Sequence, residues 1–385
     1  MILAPPPVIS PEKLIPIGVY TVGDKTFTSK IDALRCSDAT GIHPEWSYYD
    51  KEFSEFNWQV EPPENLEYYY SLRCKQIRDK YDYIVLHYSG GGDSHNILVH
   101  FWKNRIHIDE IIVALPIRYF ETLLPNASTA TKDLQNEWFF TVKPDLKWIS
   151  ENLPKTRVTI YDCTDDMLNF KVDQDWILHA GEHINPNISN RIQRYYKLNT
   201  MNVYDRYTVG HVYGLDKPLV FKNGDEWNTS FLDSVISVQA SFKSVFDHHT
   251  HINVEYFYWT PDLPEMLIKQ VHSVKNYYEA NPQFLHLASH QKKTPEDKEK
   301  ERNLVRRAVY PYWREGIFQT VKASNSFFKE FDQWFFDLAS DSAIARWYEG
   351  YDYLLQGIDK KWFRVDDNGN PSGLVGFWSK WHKIG

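Results

Sequence analysis

The sequence predicts an α/β protein with a parallel sheet, flanked by a β-rich N-terminal extension and a mainly helical C-terminal region. Apolar runs typical of buried strands occur at residues 84–86 and 109–115. Residues 157–161 and 209–213 are two further candidate strands, and helical stretches separate the four. A turn of three glycines joins the first run to a helix. Strands that alternate with helices predict a parallel sheet whose ligands bind at the carboxyl ends of the strands.

We expect the chain to divide into three regions. The first is a β-rich extension, because extended runs at residues 17–22 and 25–28 flank Gly23 and Asp24, a two-residue turn typical of a β-hairpin. The second is the α/β core, and the third is rich in helices and aromatic residues. In order, the regions are predicted at residues 1–64, 65–260 and 261–385.

Helices are predicted before and after the core strands along the sequence. Residues 65–80 carry apolar side chains at helical spacing and end in basic residues, which suit a helix C-terminus. Residues 264–278 have one apolar face. Residues 290–307 are densely and evenly charged, which indicates a solvated helix or a linker.

The glycine turn carries the most chemical information in the chain. A strand, a glycine turn and a helix N-terminus place several backbone N–H groups around one point, which is a common way to bind phosphate. A Walker loop would need Lys after the glycines, and a dinucleotide fingerprint would need Gly where His95 stands. A plainer alternative is a tight connection in which Asp93 caps the helix. The turn consists of Ser89, Gly90, Gly91, Gly92, Asp93 and Ser94.

These six residues match the pattern S-G-G-x-D-S and resemble the pyrophosphate loop of the ATP pyrophosphatases, which include asparagine, GMP, NAD and argininosuccinate synthetases. The resemblance is closest to the synthetase domain of asparagine synthetases and extends over residues 81 to about 275, although only the loop is specific. It implies a sheet of the adenine nucleotide alpha hydrolase type that binds ATP and Mg²⁺. It also implies that backbone near Ala114 and Leu115 holds adenine.

The residue types of the loop suit this chemistry. Cleavage of ATP between the α and β phosphates releases pyrophosphate, which needs hydrogen-bond donors on several sides and a magnesium ion to absorb charge. Glycines let the backbone approach, Ser89 and Ser94 add hydroxyl donors, and Asp93 is an oxygen ligand suited to magnesium. Asp216 and Lys217, after the fourth strand, are predicted to supply a second metal ligand and a phosphate contact. An ordinary surface turn is the alternative at these two residues.

The predicted reaction is an adenylation. An oxygen of a carboxylate or ring carbonyl attacks the α phosphate of ATP, pyrophosphate leaves, and a nitrogen nucleophile then displaces AMP. The acceptor is a small molecule or a nucleobase, and because no glutaminase cysteine is recognised, we expect an external nitrogen donor. One alternative is a sulfur-transfer or adenylyl-sulfate enzyme, which usually needs reactive cysteines, and Cys163 is the single candidate. The other is a nucleotide-binding module without turnover.

Composition limits the other function classes. The 385 residues are 42 % hydrophobic, which is ample for packed cores, and a net charge of −8 does not indicate nucleic-acid binding. Three cysteines without paired spacing favour a reducing compartment. Neither a secretory signal nor an apolar run of about eighteen residues is recognised, so we expect a cytoplasmic protein with no membrane partner.

Overall fold

The computed structural model describes residues 18–123, 138–169, 206–215, 217–235, 251–289, 293–312, 330–365 and 371–385. Its strands are β1 (Val19–Val22), β2 (Lys25–Phe27), β3 (Glu45–Ser47), β4 (Tyr83–His87), β5 (Glu110–Leu115), β6 (Arg157–Asp162), β7 (Val209–Tyr213), β8 (Leu219–Asn223), β9 (Glu226–Ser230), β10 (Ile252–Tyr256), β11 (Phe363–Val365), β12 (Pro371–Leu374) and β13 (His382–Lys383). Its α-helices are α1 (Lys30–Thr40), α2 (Asp50–Ser54), α3 (Leu66–Lys80), α4 (Gly92–Lys103), α5 (Ile117–Leu123), α6 (Lys143–Asn152), α7 (Thr164–Asn169), α8 (Pro264–Ala280), α9 (Pro295–Val309), α10 (Glu330–Leu338) and α11 (Asp341–Gly357).

Five of these strands form one parallel sheet, in the order β10-β7-β4-β5-β6. The prediction of an α/β protein with a parallel sheet is therefore confirmed, and the four predicted core strands are β4, β5, β6 and β7. Ile84, Val85 and Leu86 are fully buried in the central strand, as their unbroken apolar run indicates. The fifth strand, β10, is not among the predicted ones.

Helix α3 confirms the prediction for residues 65–80 and leads directly into β4. Asn65 caps its N-terminus by accepting a hydrogen bond of 2.9 Å from the backbone N–H of Tyr68. Tyr70, Cys74 and Ile77 recur at helical spacing and are fully buried. This buried face fixes the helix that precedes the glycine loop.

The predicted N-terminal hairpin is present. Strands β1 and β2 pair antiparallel on either side of the turn, where Gly23 has φ of 64°. Strand β3 pairs with the other edge of β1, and α1 lies between them in the chain. The result is a small three-stranded antiparallel sheet next to the core.

The C-terminal region contains short strands as well as helices. Helix α8 confirms the amphipathic prediction for residues 264–278, and most of the charged stretch forms α9, which a capping box of Thr294 and Asp297 begins. Strands β11 and β12 form a hairpin, and β13 pairs with β9 at the edge of a third antiparallel sheet. These strands were not predicted, because runs of two to four residues carry little periodicity.

Within the described ranges, the structure contains no helix that is both long enough and apolar enough to cross a membrane.

Candidate functional site

The glycine loop lies at the carboxyl end of β4, the central strand of the parallel sheet. Gly90 has φ of 77°, a left-handed conformation that favours glycine, and Gly91 is the extended residue before α4 begins at Gly92. The Ser94 hydroxyl accepts from the backbone N–H of Ser89 at 3.3 Å and donates to the carbonyl of Gly91 at 3.2 Å. The loop is therefore closed on itself, beside the N–H groups of a helix N-terminus.

The neighbouring strand β7 brings a second glycine against this loop. Gly214 follows β7, and a Cβ atom added to it would lie 2.9 Å from the carbonyl carbon of Asp93 and from the backbone nitrogen of Ser94. Real Cβ atoms essentially never make contacts that short, so the loop and the end of β7 pack this closely because residue 214 is glycine. This approach carries Lys217, three residues later, to the loop.

Asp93 is the charged centre of the site. Its Oδ1 accepts hydrogen bonds from the Lys217 ammonium and the Tyr310 hydroxyl, and its side chain is 24 % exposed. Burial raises the Asp93 pKa, but the charges of Lys217 and Arg306 and the two hydrogen bonds outweigh it and lower the pKa to about 2. Asp93 is therefore ionised, and it does not cap the helix, because α4 has no side-chain cap.

Of the two residues predicted after the fourth strand, the structure places Lys217 at the glycine loop. Lys217 is 11 % exposed, and besides Asp93 its ammonium donates to the Tyr310 hydroxyl at 3.0 Å. Asp216, the predicted second metal ligand, lies outside the described residues. The contact of Lys217 with Asp93 favours the interpretation that this turn is part of the site, and not an ordinary surface turn.

Two tyrosines at the loop were missed by sequence reasoning. Tyr258 follows β10 and donates to the backbone carbonyl of Asp93 at 2.8 Å, while accepting from the Asn96 amide at 3.0 Å. Tyr310 follows α9. Recognition of β10 would have placed Tyr258 at this edge of the sheet, because ligands collect at the carboxyl ends of parallel strands. Nothing in the sequence pattern points to Tyr310.

A buried polar cluster holds the residues on either side of the loop. The Tyr88 hydroxyl donates to Asp145 Oδ2 at 2.5 Å and lies 3.0 Å from Nδ1 of His95. The same His95 nitrogen is 3.3 Å from Asp145 Oδ2, and all three side chains are buried. Tyr88 precedes the loop and His95 lies in the first turns of α4, so Asp145 of α6 fixes both ends of the loop.

Two histidines lie beneath the loop, and burial keeps both neutral. His87 Nε2 is 2.9 Å from His211 Nδ1, and the His87 ring stacks on Tyr213 with centroids 4.0 Å apart. Burial lowers the pKa of His211 to about 3, and burial together with His211 lowers the pKa of His87 well below its usual range. The pair therefore adds no positive charge to the site at neutral pH.

Ala114 and Leu115, predicted to hold adenine, end strand β5 beside the loop strand. The Ile112 carbonyl accepts from Tyr88 on the β4 side, and the Leu115 carbonyl accepts from Cys163 on the β6 side, at 2.9 and 3.1 Å. Backbone groups of successive strand residues point to opposite sides, so those of Ala114 face the side of the glycine loop. Ala114 is therefore better placed than Leu115 to meet a nucleotide there.

The donor set of the site fits magnesium and phosphate. The described residues contain no cluster of three or more His, Cys, Asp or Glu side chains that could hold a metal alone. Magnesium needs only one or two carboxylates, because water and phosphate oxygens complete its shell. Asp93 is ionised, and within the described part of the chain no donor contacts its Oδ2. This oxygen is the candidate metal ligand.

Comparison with known proteins adds no family to this picture. No protein-family model matches the chain, and no match was found among the curated proteins. The loop sequence and the geometry of the residues around it therefore indicate what this site can bind.

Proposed function

We propose that the chain binds ATP and Mg²⁺ at the loop from Ser89 to Ser94 and transfers AMP to a carboxylate or carbonyl acceptor. The sheet is then of the adenine nucleotide alpha hydrolase type. One observation carries the proposal. An ionised carboxylate, Asp93, and an ammonium group, Lys217, converge on a glycine loop at the carboxyl end of the central strand. This combination suits a multiply charged phosphate leaving group.

The loop would bind the β and γ phosphates of ATP. Backbone N–H groups at the start of α4 and the exposed Ser89 hydroxyl offer donors without formal charge, and Lys217 adds a cation at one side. Magnesium held by Asp93 would neutralise charge on pyrophosphate as it leaves. The adenine would lie on the β5 side, against the backbone of Ala114.

The chemistry that follows needs little proton transfer from the protein. An acceptor oxygen bonds to the α phosphorus while the bond from that phosphorus to the bridging β-phosphate oxygen breaks, and pyrophosphate leaves. A nitrogen nucleophile then attacks the activated carbon and loses a proton to water, and AMP leaves with the acceptor oxygen. Both steps depend mainly on positioning and charge stabilisation.

An assay of pyrophosphate release tests the proposal. The protein would be incubated with ATP, Mg²⁺ and a panel of carboxylates and nucleosides, with hydroxylamine present to trap activated acyl groups. We expect release that depends on both the acceptor and Mg²⁺, and we expect Asp93→Asn to slow it by about 10²–10³-fold, the typical effect of losing one charge-stabilising group. Exposed Asp225 supplies the control variant Asp225→Asn, which should leave release unchanged.

The same assay separates the alternatives. Tight ATP binding with no release in the presence of any acceptor would support a nucleotide-binding module instead. Failure to bind ATP at all would contradict the proposal. The sulfur-transfer alternative would require Cys163 to react, and this side chain is only 1 % exposed. Loss of turnover in Cys163→Ser with folding intact would revive it.

A further inference from the structure

We infer that Tyr310 is a positioning residue that holds the Asp93 carboxylate so that Oδ2 would be available to a magnesium ion, which makes the end of helix α9 a necessary part of the site. The inference rests on the proposed function, because it concerns the magnesium ligand of that site. It adds a residue from outside the predicted core, 217 positions away from Asp93 in the chain.

Two hydrogen-bond donors contact the same oxygen of the Asp93 carboxylate. The Tyr310 hydroxyl and the Lys217 ammonium both contact Oδ1 of Asp93. The side chain of Asp93 is nevertheless 24 % exposed. With two donors on Oδ1, the carboxylate cannot rotate freely, and it presents its other oxygen to incoming ligands.

Tyr310 is itself held in place by its neighbours. It is 2 % exposed, and its ring packs on that of Tyr258 with centroids 5.3 Å apart. The preceding residue, Val309, is fully buried, and its carbonyl accepts from the Tyr70 hydroxyl of α3 at 2.8 Å. Helix α9 therefore delivers the hydroxyl from a fixed position, because α3 holds its last turn against the core.

The hydrogen bond from Tyr310 to Asp93 is expected to strengthen metal binding. A carboxylate that ligates a metal is typically hydrogen-bonded through an outer partner, and loss of such a partner costs 10–100-fold in metal affinity. Tyr310 has the geometry of such a partner. Lys217 cannot replace it, because the ammonium carries a positive charge that opposes magnesium, whereas the tyrosine hydroxyl orients Asp93 without adding charge.

The test is the magnesium dependence of ATP binding in Tyr310→Phe. ATP affinity would be measured by calorimetry without metal and at a series of Mg²⁺ concentrations, and Mn²⁺ binding would be followed by electron paramagnetic resonance. We expect Tyr310→Phe to weaken metal affinity about 10–100-fold and to leave metal-free ATP affinity within about twofold. The control is Tyr278→Phe, since Tyr278 is equally buried on α8 and its hydroxyl has no partner among the described residues.

The outcomes distinguish this inference from the proposed function. If ATP does not bind to the wild-type protein with Mg²⁺ dependence, the proposed function fails. If it does, and Tyr310→Phe has unchanged or tighter metal affinity, only the role of Tyr310 is overturned. Circular dichroism checks folding. If Tyr310→Phe does not fold, Tyr70→Phe must show the loss of metal affinity, because it frees the end of α9; unchanged affinity would overturn the inference.

Discussion

At the scale of single residues, the charge of Asp93 decides what the loop can bind. Burial alone would raise its pKa and favour the neutral acid, which is a poor magnesium ligand. Lys217 and Arg306 reverse this effect, so the carboxylate needs to lose no proton before a metal arrives. The sequence identifies Asp93 and Lys217 by type and position, but it cannot show that the cations near Asp93 come from two separate parts of the chain.

We predict that Gly214→Ala disturbs the loop. The added Cβ would lie 2.9 Å from backbone atoms of Asp93 and Ser94, so one of the two segments must shift, at a cost of about 1–3 kcal/mol. Urea unfolding and ATP titration should both show a loss. Gly224→Ala is the control. Its φ of 60° strains alanine and should lower stability, but no atom lies within 4 Å of the new Cβ, so ATP affinity should not change. Normal ATP affinity in Gly214→Ala would contradict the account.

His100 should make stability sensitive to acid. Burial, and then the charge of Lys103, lower its pKa to about 3, against a usual value near 6.5. Between these two values the unfolded chain binds a proton that the folded chain does not, so the free energy of unfolding falls as pH falls. At pH 5 this costs about 2 kcal/mol. Urea unfolding of His100→Leu at pH 7 and pH 5 should show a correspondingly smaller loss, and an unchanged loss would refute this.

At the scale of elements, helix α9 depends on its contact with α3. Tyr70→Phe removes the donor to the buried carbonyl of Val309, and an unsatisfied buried acceptor costs about 1–3 kcal/mol. We expect faster amide hydrogen exchange at residues 305–312, measured by mass spectrometry, together with weaker magnesium-dependent ATP binding. The control Tyr68→Phe lies on the same helix, where Tyr68 is 51 % exposed, and it should change neither. Equal exchange in both variants would argue against the tether.

Most core elements could be predicted because their signal is local. Apolar runs mark β4 and β5, and helical spacing marks α3 and α8. Strand β10 escaped because Asn253 and Glu255 interrupt its apolar pattern. Glu255 is nevertheless buried, since Arg73 and Lys80 neutralise it at 2.5 and 2.6 Å. A buried carboxylate becomes intelligible only when its partners on another element are known.

At the scale of the whole molecule, buried polar groups join the N-terminal extension to Asp233, which lies in the segment after β9. Lys30 and Asp233 form an ion pair of 2.8 Å at 3 % and 0 % exposure, and the Tyr20 hydroxyl donates to the same carboxylate at 2.6 Å. Local sequence patterns do not predict such contacts, because the partners lie some two hundred residues apart. The extension and the segment after β9 therefore depend on each other.

We predict that Asp233→Ala destabilises the whole chain. It leaves the Lys30 ammonium buried without its partner, and breaking a buried pair on one side costs about 3–5 kcal/mol. Thermal unfolding should show the loss. Asp225→Ala removes an exposed carboxylate 3.9 Å from Lys222 and should leave the stability nearly unchanged. Similar stabilities for the two variants would mean that this ion pair does not hold the extension in place.

Calorimetric titration of pyrophosphate into the protein, with and without Mg²⁺ and with ATP as competitor, tests whether the loop binds the leaving group. If the loop grips the leaving group, pyrophosphate binds with Mg²⁺, ATP displaces it, and Asp93→Asn weakens it by about 10–100-fold. Pyrophosphate binding that ignores both Mg²⁺ and Asp93, or that ATP does not displace, would contradict the claim that this loop is a magnesium pyrophosphate site.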